Sequence, residues 1–272
     1  MTPDTFSRAT LSAAALHVVE RFPATQVHAA WVSGSLVEGL GNPSSDVDIF
    51  VAQLGETPSS ICVTRQAQDH GIYASVEGDV RYDVEFWSTM DIERLAAKLD
   101  DLPIDDPNRN NLHFLSYWET EFVHRLLVGV PIVHESRVVA LRDRFNASRF
   151  ARFLMDTAVR RADDAFDDAV GMLNVGQLRA SALRVRDAIG FSVDALLYAH
   201  GTTNDKTKFR LHKLERMVSN GHAQMQYVLE SLWRFESDIP SDKDGLRRYV
   251  EDGLRYSSAL IDSATKRTRS GS

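Results

Sequence analysis

The sequence predicts an α/β (α+β) protein in which a small mixed-sheet domain, residues 1–140, is followed by an α-helical bundle domain, residues 141–272. Three observations predict it. Apolar runs rich in Val, Ile, Phe, Tyr and Trp, some strictly alternating with polar residues, lie mostly before Leu112. Beyond Leu112 that strand signal nearly vanishes, and apolar residues recur at three- and four-residue intervals. Gly171, Gly201, Gly221 and Pro240 then fall near the breaks between helical stretches.

In chain order, residues 3–21 read as an amphipathic helix with Leu11, Ala14, Ala15, Val18 and Val19 on one side. Residues 27–33 and 46–53 read as the first two strands, joined through a short helix over 36–40 that starts at Gly34-Ser35. A helix over 60–70 ends at Gly71. Strands over 72–76 and 80–87 flank a hairpin turn at Glu77-Gly78-Asp79. Ser88, with Asp91 three residues on, is an N-cap signal for a helix running to Leu99. Residues 100–111, with Pro103 and Pro107, form a polar loop. A helix over 112–127, an extended piece at 131–133 and a helix capped by Ser136 lead to the join, near residues 134–148. Helices over 149–173, 175–200, 206–219, 223–235 and 241–261 complete the bundle, and residues 265–272 read as a disordered polar tail.

The chemistry concentrates in the first domain. Trp31-Val32-Ser33-Gly34-Ser35 closes an apolar run, and after a ten-residue gap Asp46-Val47-Asp48-Ile49-Phe50 sets two carboxylates one residue apart within another. On a strand, residues i and i+2 share a face, so Asp46 and Asp48 project together. Such a pair repels unless a cation lies between the acids, and hard oxygen ligands suit Mg²⁺. Asp46 alone also suits a turn at the start of a strand, but Asp48 lies mid-strand, where an unpaired carboxylate is costly. In Val80-Arg81-Tyr82-Asp83-Val84-Glu85-Phe86-Trp87, Asp83 and Glu85 share a face, and either completes a carboxylate triad for two metal ions. Gly34 admits a phosphate close to the backbone, and Ser35 offers a hydroxyl and an N–H at a helix start.

Gly34-Ser35, the gap, Asp46-x-Asp48 and the later acidic strand together resemble the signature of the DNA-polymerase-β-like nucleotidyltransferases. Over the rest, Leu127-Val128-Gly129-Val130-Pro131-Ile132 and the helical second half are similar to the antibiotic-modifying, kanamycin-nucleotidyltransferase type. The resemblance implies that Gly34 and Ser35 hold the phosphates of an NTP, with ATP expected. It implies that Asp46, Asp48 and Asp83 hold two Mg²⁺ ions, with Glu85 in reserve for the third position. Asn204-Asp205-Lys206-Thr207-Lys208-Phe209 looks like the Lys-aromatic segment that contacts phosphate in related enzymes, which makes Lys208 a nucleotide-binding candidate beside the alternative of an exposed helix start. Asp187 and Asp194, seven apart on one helical stripe, and Glu85 are candidates for the general base, while ion pairing explains the two helical acids equally well.

The implied reaction is transfer of a nucleoside monophosphate to a hydroxyl or amine of a small acceptor, antibiotic-like or a metabolite, with release of pyrophosphate. The alternative is an antitoxin-like regulator that modifies or binds a partner protein. The net charge of −7 argues against a large nucleic-acid surface. No apolar run of 18 residues exists and the N-terminus lacks signal-peptide character, so a cytoplasmic location without membrane partners is expected. The single cysteine, Cys62 between Ile61 and Val63, reads as a buried structural thiol, and the nine histidines show no zinc-ligand spacing. Asp163, Asp164, Asp167 and Asp168 read as a solvated helix face paired with Arg160 and Arg161.

Overall fold

A computed structural model describes residues 8–42, 44–54, 65–66, 70–104 and 115–270. Among them are the strands β1 (Val27–Ser33), β2 (Val47–Gln53), β3 (Arg65–Gln66), β4 (His70–Glu77), β5 (Val80–Ser88) and β6 (Val130–Val133). They form one mixed sheet in the order β3-β4-β5-β2-β1-β6, antiparallel except for the parallel pair β2–β5. The chain divides into two compact units. The first comprises Met1–Pro103 and Asn108–Asn146, and the second Ile104–Pro107 and Ala147–Ser272. The main segment of the second unit begins at Ala147.

In the first unit, period-two alternation decides what each face of the sheet buries. Val47, Ile49 and Val51 of β2, with Val84 and Phe86 of β5, pack against Leu11, Ala15, Val18 and Val19 of α1 (Arg8–Val19). The opposite face is aromatic. Trp31 stacks on Phe50 at 5.7 Å, and both meet Phe122, which also packs on Trp87 at 4.3 Å. Phe122 belongs to α3 (Tyr117–Val128), a helix started by a capping box in which Ser116 and Glu119 satisfy each other's backbone N–H groups. Also in this unit are α2 (Thr89–Asp101), capped by Ser88 accepting from the Asp91 N–H at 3.0 Å, and α4 (Glu135–Asp143). The β4–β5 hairpin turns at Gly78, whose φ of +59° only glycine adopts readily.

The second unit is helical: α5 (Ala147–Asn174), α6 (Leu178–Ala199), α7 (Arg210–Ser219), α8 (Gln224–Ser237) and α9 (Lys243–Ser270). Phe150, Leu154, Ala158, Ala162, Ala165 and Ala169 form the buried stripe of α5, and its four alanines let helices approach closely. On α9, a Cβ at Gly253 would lie 2.8 Å from Val185 of α6, so glycine sets that contact.

Several expectations need correction. Residues 35–39 form turns rather than a helix, because the Leu40 and Gly41 N–H groups both bond back to the Ser35 carbonyl at 2.7 and 2.8 Å and close the segment on itself. Ser35 therefore does not sit at a helix N-terminus. Arg65 and Gln66 pair with Ile72 and Gly71 as an edge strand, not a helix, and the remainder of 60–69, Cys62 included, lies outside the described residues. The helix expected to be capped by Ser136 starts after His134, which takes the left-handed conformation at φ +53°. The expected tail continues α9 to Ser270, where Arg267 and Arg269 complement the negative end of the helix. Asp168 is paired by Arg184 of α6 at 2.9 Å, a partner different from those expected.

Candidate active site

The register of the sheet brings the first-domain candidates together. Ser33 of β1 stands opposite Asp48 of β2, and Asp48 opposite Asp83 of β5. The next rung inward reads Trp31, Phe50, Glu85. Neighbouring strands lie about 4.8 Å apart, so Asp83 is the direct neighbour of Asp48, while Glu85 lies one step deeper. Asp46 stands immediately before β2, close enough to act on the charge of Asp48. At the end of β1 the chain turns at Gly34 with φ +94°, and a Cβ there would lie only 2.0 Å from Asp48 Oδ2. The acid fills the space a side chain would take, which makes glycine obligatory on both backbone and steric grounds.

Charge is unbalanced here. Burial pushes the Asp48 carboxyl up to about 7, with Asp46, Glu121 and Asp83 adding to the rise and Arg125 opposing it. Burial likewise raises Glu85 to about 8, although the Trp87 indole N–H donates to it at 3.3 Å. Two guanidinium groups answer the excess. Arg81 donates to both oxygens of Asp83, at 3.0 and 2.8 Å. Arg125 of α3 places Nη1 3.4 Å from Asp48 Oδ2 and donates from Nη2 to Glu121 at 3.1 Å, with its side chain only 12% exposed. Its chain neighbour His124 meets Glu38, on the turn that follows Gly34-Ser35, at 3.1 Å. Helix α3 thus fastens both the glycine-serine turn and the central acid.

Glu38, Glu121, His124 and Arg125 were not singled out in the sequence. The available signal was a buried-looking helix, Glu121-Phe122-Val123-His124-Arg125-Leu126, carrying three titratable groups among apolar ones. The other candidates lie in the helical unit. Lys208 is exposed on the single helical turn Thr207–Phe209, its Nζ 4.8 Å from the Phe209 ring centre. Asp187 pairs with Arg184 at 2.7 Å. Asp194 is 3% exposed and held in a two-pronged pair by Arg210 at 3.0 and 2.6 Å, with Lys213 at 4.0 Å, so it is a structural ion pair rather than a general base.

The donor set suits Mg²⁺ by its chemistry: three carboxylates on neighbouring positions, beside a buried Ser33 hydroxyl that has no partner. Among the described residues, however, no three acid, histidine or cysteine groups are gathered tightly enough to hold an ion as the side chains stand. In this arrangement, Asp83 and Asp48 are engaged by Arg81 and Arg125.

No protein-family model matches the chain, and no curated protein matches it. Among solved structures it is similar to a nucleotidyltransferase-like protein from Exiguobacterium sibiricum 255-15, with a TM-score of 0.50 and 12% identity over 95% of this chain and 77% of that one. The chain has a nucleotidyltransferase-like fold. Among the described residues, no helix is long and apolar enough to cross a membrane.

Proposed function

We propose that this protein transfers a nucleoside monophosphate from an NTP, with ATP the expected donor, to a hydroxyl or amine of a small acceptor, releasing pyrophosphate. The observation that carries the reading is the in-register pair Asp48–Asp83 on parallel strands, set against Gly34 within a nucleotidyltransferase-like fold. Asp46, Asp48 and Asp83 would hold Mg²⁺, which supplies charge neutralisation for the triphosphate and activation of the acceptor oxygen. Gly34 and Ser35 accommodate the phosphates at the turn through the Ser35 hydroxyl and N–H, while the space beside Gly34 is taken by Asp48. His124 and Arg125 fix the turn and Asp48 against α3, so the chain's own contribution is alignment of donor and acceptor. The kanamycin-type acceptor class, an antibiotic-like hydroxylated or aminated molecule, is part of this proposal, as is contact of Lys208 with the NTP.

A second reading rests on the two arginines. With Asp83 held by Arg81 and Asp48 by Arg125, the same fold could serve as a regulator that binds a partner protein without turnover. Incubation of the pure protein with each labelled NTP, Mg²⁺ and a panel of aminoglycosides and metabolites separates the two. Added NMP mass on a small acceptor, abolished by Asp48→Asn, supports transfer. Absence of any NMP transfer across the panel, together with unchanged nucleotide affinity in Asp48→Asn, would favour the regulator. Lys208→Ala is expected to weaken NTP use roughly tenfold to a hundredfold, the value of one charge-assisted contact.

A further inference from the structure

The helical unit holds a second concave feature, unrelated to the acids of β2 and β5. A cavity of about 600 Å³ opens between the first turns of α5 and the C-terminal ends of α6 and α9. That volume lies within the roughly 300–1,000 Å³ of small-molecule sites. Its floor is apolar, formed by Ala151, Met155 and Tyr198, each no more than 5% exposed. Its polar groups are the guanidinium groups of Arg152 and Arg267 and the hydroxyls of Ser148 and Thr268. None of the described lining residues is acidic, in a chain whose net charge is −7.

The two arginines differ in a useful way. Arg152 is 30% exposed and ion-paired with Asp156 at 3.7 Å, and its Nε is buried without a hydrogen bond. Arg267 stands exposed at the rim and forms no ion pair with a described residue. Beside the cavity, His200 Nδ1 and Thr202 Oγ1 are also buried without partners. Burial, with smaller contributions from Arg267 and His222, pushes His200 down to about 4. The negative ends of α6 and α9 oppose an anion and the positive end of α5 favours one, so the two guanidinium groups decide the sign.

We propose that this cavity binds a phosphate-bearing small molecule, its phosphate between Arg152 and Arg267 and its apolar part against Met155 and Tyr198. Guanidinium matches phosphate with paired N–H donors, and the Ser148 hydroxyl extends the polar side. The proposal does not depend on the transfer reaction.

Calorimetric titration of the full chain in EDTA tests it, since without divalent cations the acids of the first unit have no means of attracting an anion. The probes are inorganic pyrophosphate and AMP. Both should bind saturably below millimolar concentration, AMP more tightly because it also covers the apolar floor. Arg152→Gln and Arg267→Gln should each weaken binding roughly tenfold to a hundredfold, while Arg255→Gln, on an exposed part of α9, leaves it unchanged. The His200 ring, followed by proton NMR, should show its pKa rising from about 4 as AMP saturates the site. Equal affinity for AMP and pyrophosphate would overturn the apolar contact. Absence of saturable binding by either probe, or binding retained by the double variant, would overturn the site.

Discussion

Gly34→Ala tests the tightest spot in the first unit. The new Cβ would have to adopt φ +94°, which costs an L-residue roughly 1–2 kcal/mol. It would also lie 2.0 Å from Asp48 Oδ2 and 2.9 Å from Arg125 Nη1. The arginine tip can yield, but the acid must leave its place, and overpacking of that kind costs roughly 1–3 kcal/mol. The total is about 2–5 kcal/mol. In an Asp48→Ala background the carboxylate is gone and only the backbone cost, about 1–2 kcal/mol, remains. The double-mutant cycle therefore predicts a coupling of about 1–3 kcal/mol between positions 34 and 48. Urea unfolding followed by tryptophan fluorescence reads it out, since Trp31 and Trp87 are buried in the same unit. If Gly34→Ala costs the same in both backgrounds, within about 0.5 kcal/mol, Asp48 does not lie against Gly34 and the site geometry is wrong.

The remaining predictions concern buried charge. Arg125→Met leaves Asp48 and Glu121 without their guanidinium and should destabilise the first unit by about 3–5 kcal/mol; Mg²⁺ should raise the Tm of this variant more than that of the wild type, and equal shifts would refute the competition between arginine and metal. Asp194→Ala strands Arg210 in the second unit and should cost about 3–5 kcal/mol, whereas Asp194→Leu with Arg210→Met should cost clearly less; a loss below about 1 kcal/mol for the single variant would show the pair to be dispensable. His200 resists protonation in the folded state down to about 4, against 6.5 when unfolded. The unfolded chain therefore takes up a proton the folded chain refuses, and stability falls as pH drops from 6.5 towards 4. His200→Asn should flatten that part of the Tm–pH curve, and an unchanged slope would exclude the histidine as its source.

The parts of the fold visible in the sequence are those set by short-range pattern. Alternation in 80–87, the Glu77-Gly78-Asp79 turn and the Ser88 cap each depend on residues a few positions apart, and the structure forms all three. The same locality explains the errors. Whether residues 35–39 propagate as a helix is decided by two N–H groups returning to one carbonyl, which periodicity does not register. Arg65 and Gln66 become a strand only because Ile72 and Gly71 offer an edge. At the candidate site, the spacing of Asp46 and Asp48 was legible because both acids lie on one short segment. Arg125 was not, because its meaning arises only when α3 covers β2. Asp194 carries the same lesson, since nothing in its own helix announces the Arg210 that neutralises it.

Because His124 and Arg125 are consecutive, they leave α3 about 100° apart, one towards Glu38 and the other towards Asp48. A single inserted residue between Ser116 and Glu121 would rotate both by about 100°, putting Val123 in the place of His124 and His124 in the place of Arg125. An insertion ahead of Ser116 would not, because the capping box restarts the helix and resets its phase. Descendants of this chain could thus lengthen freely before the cap, while the five positions after it must keep their count.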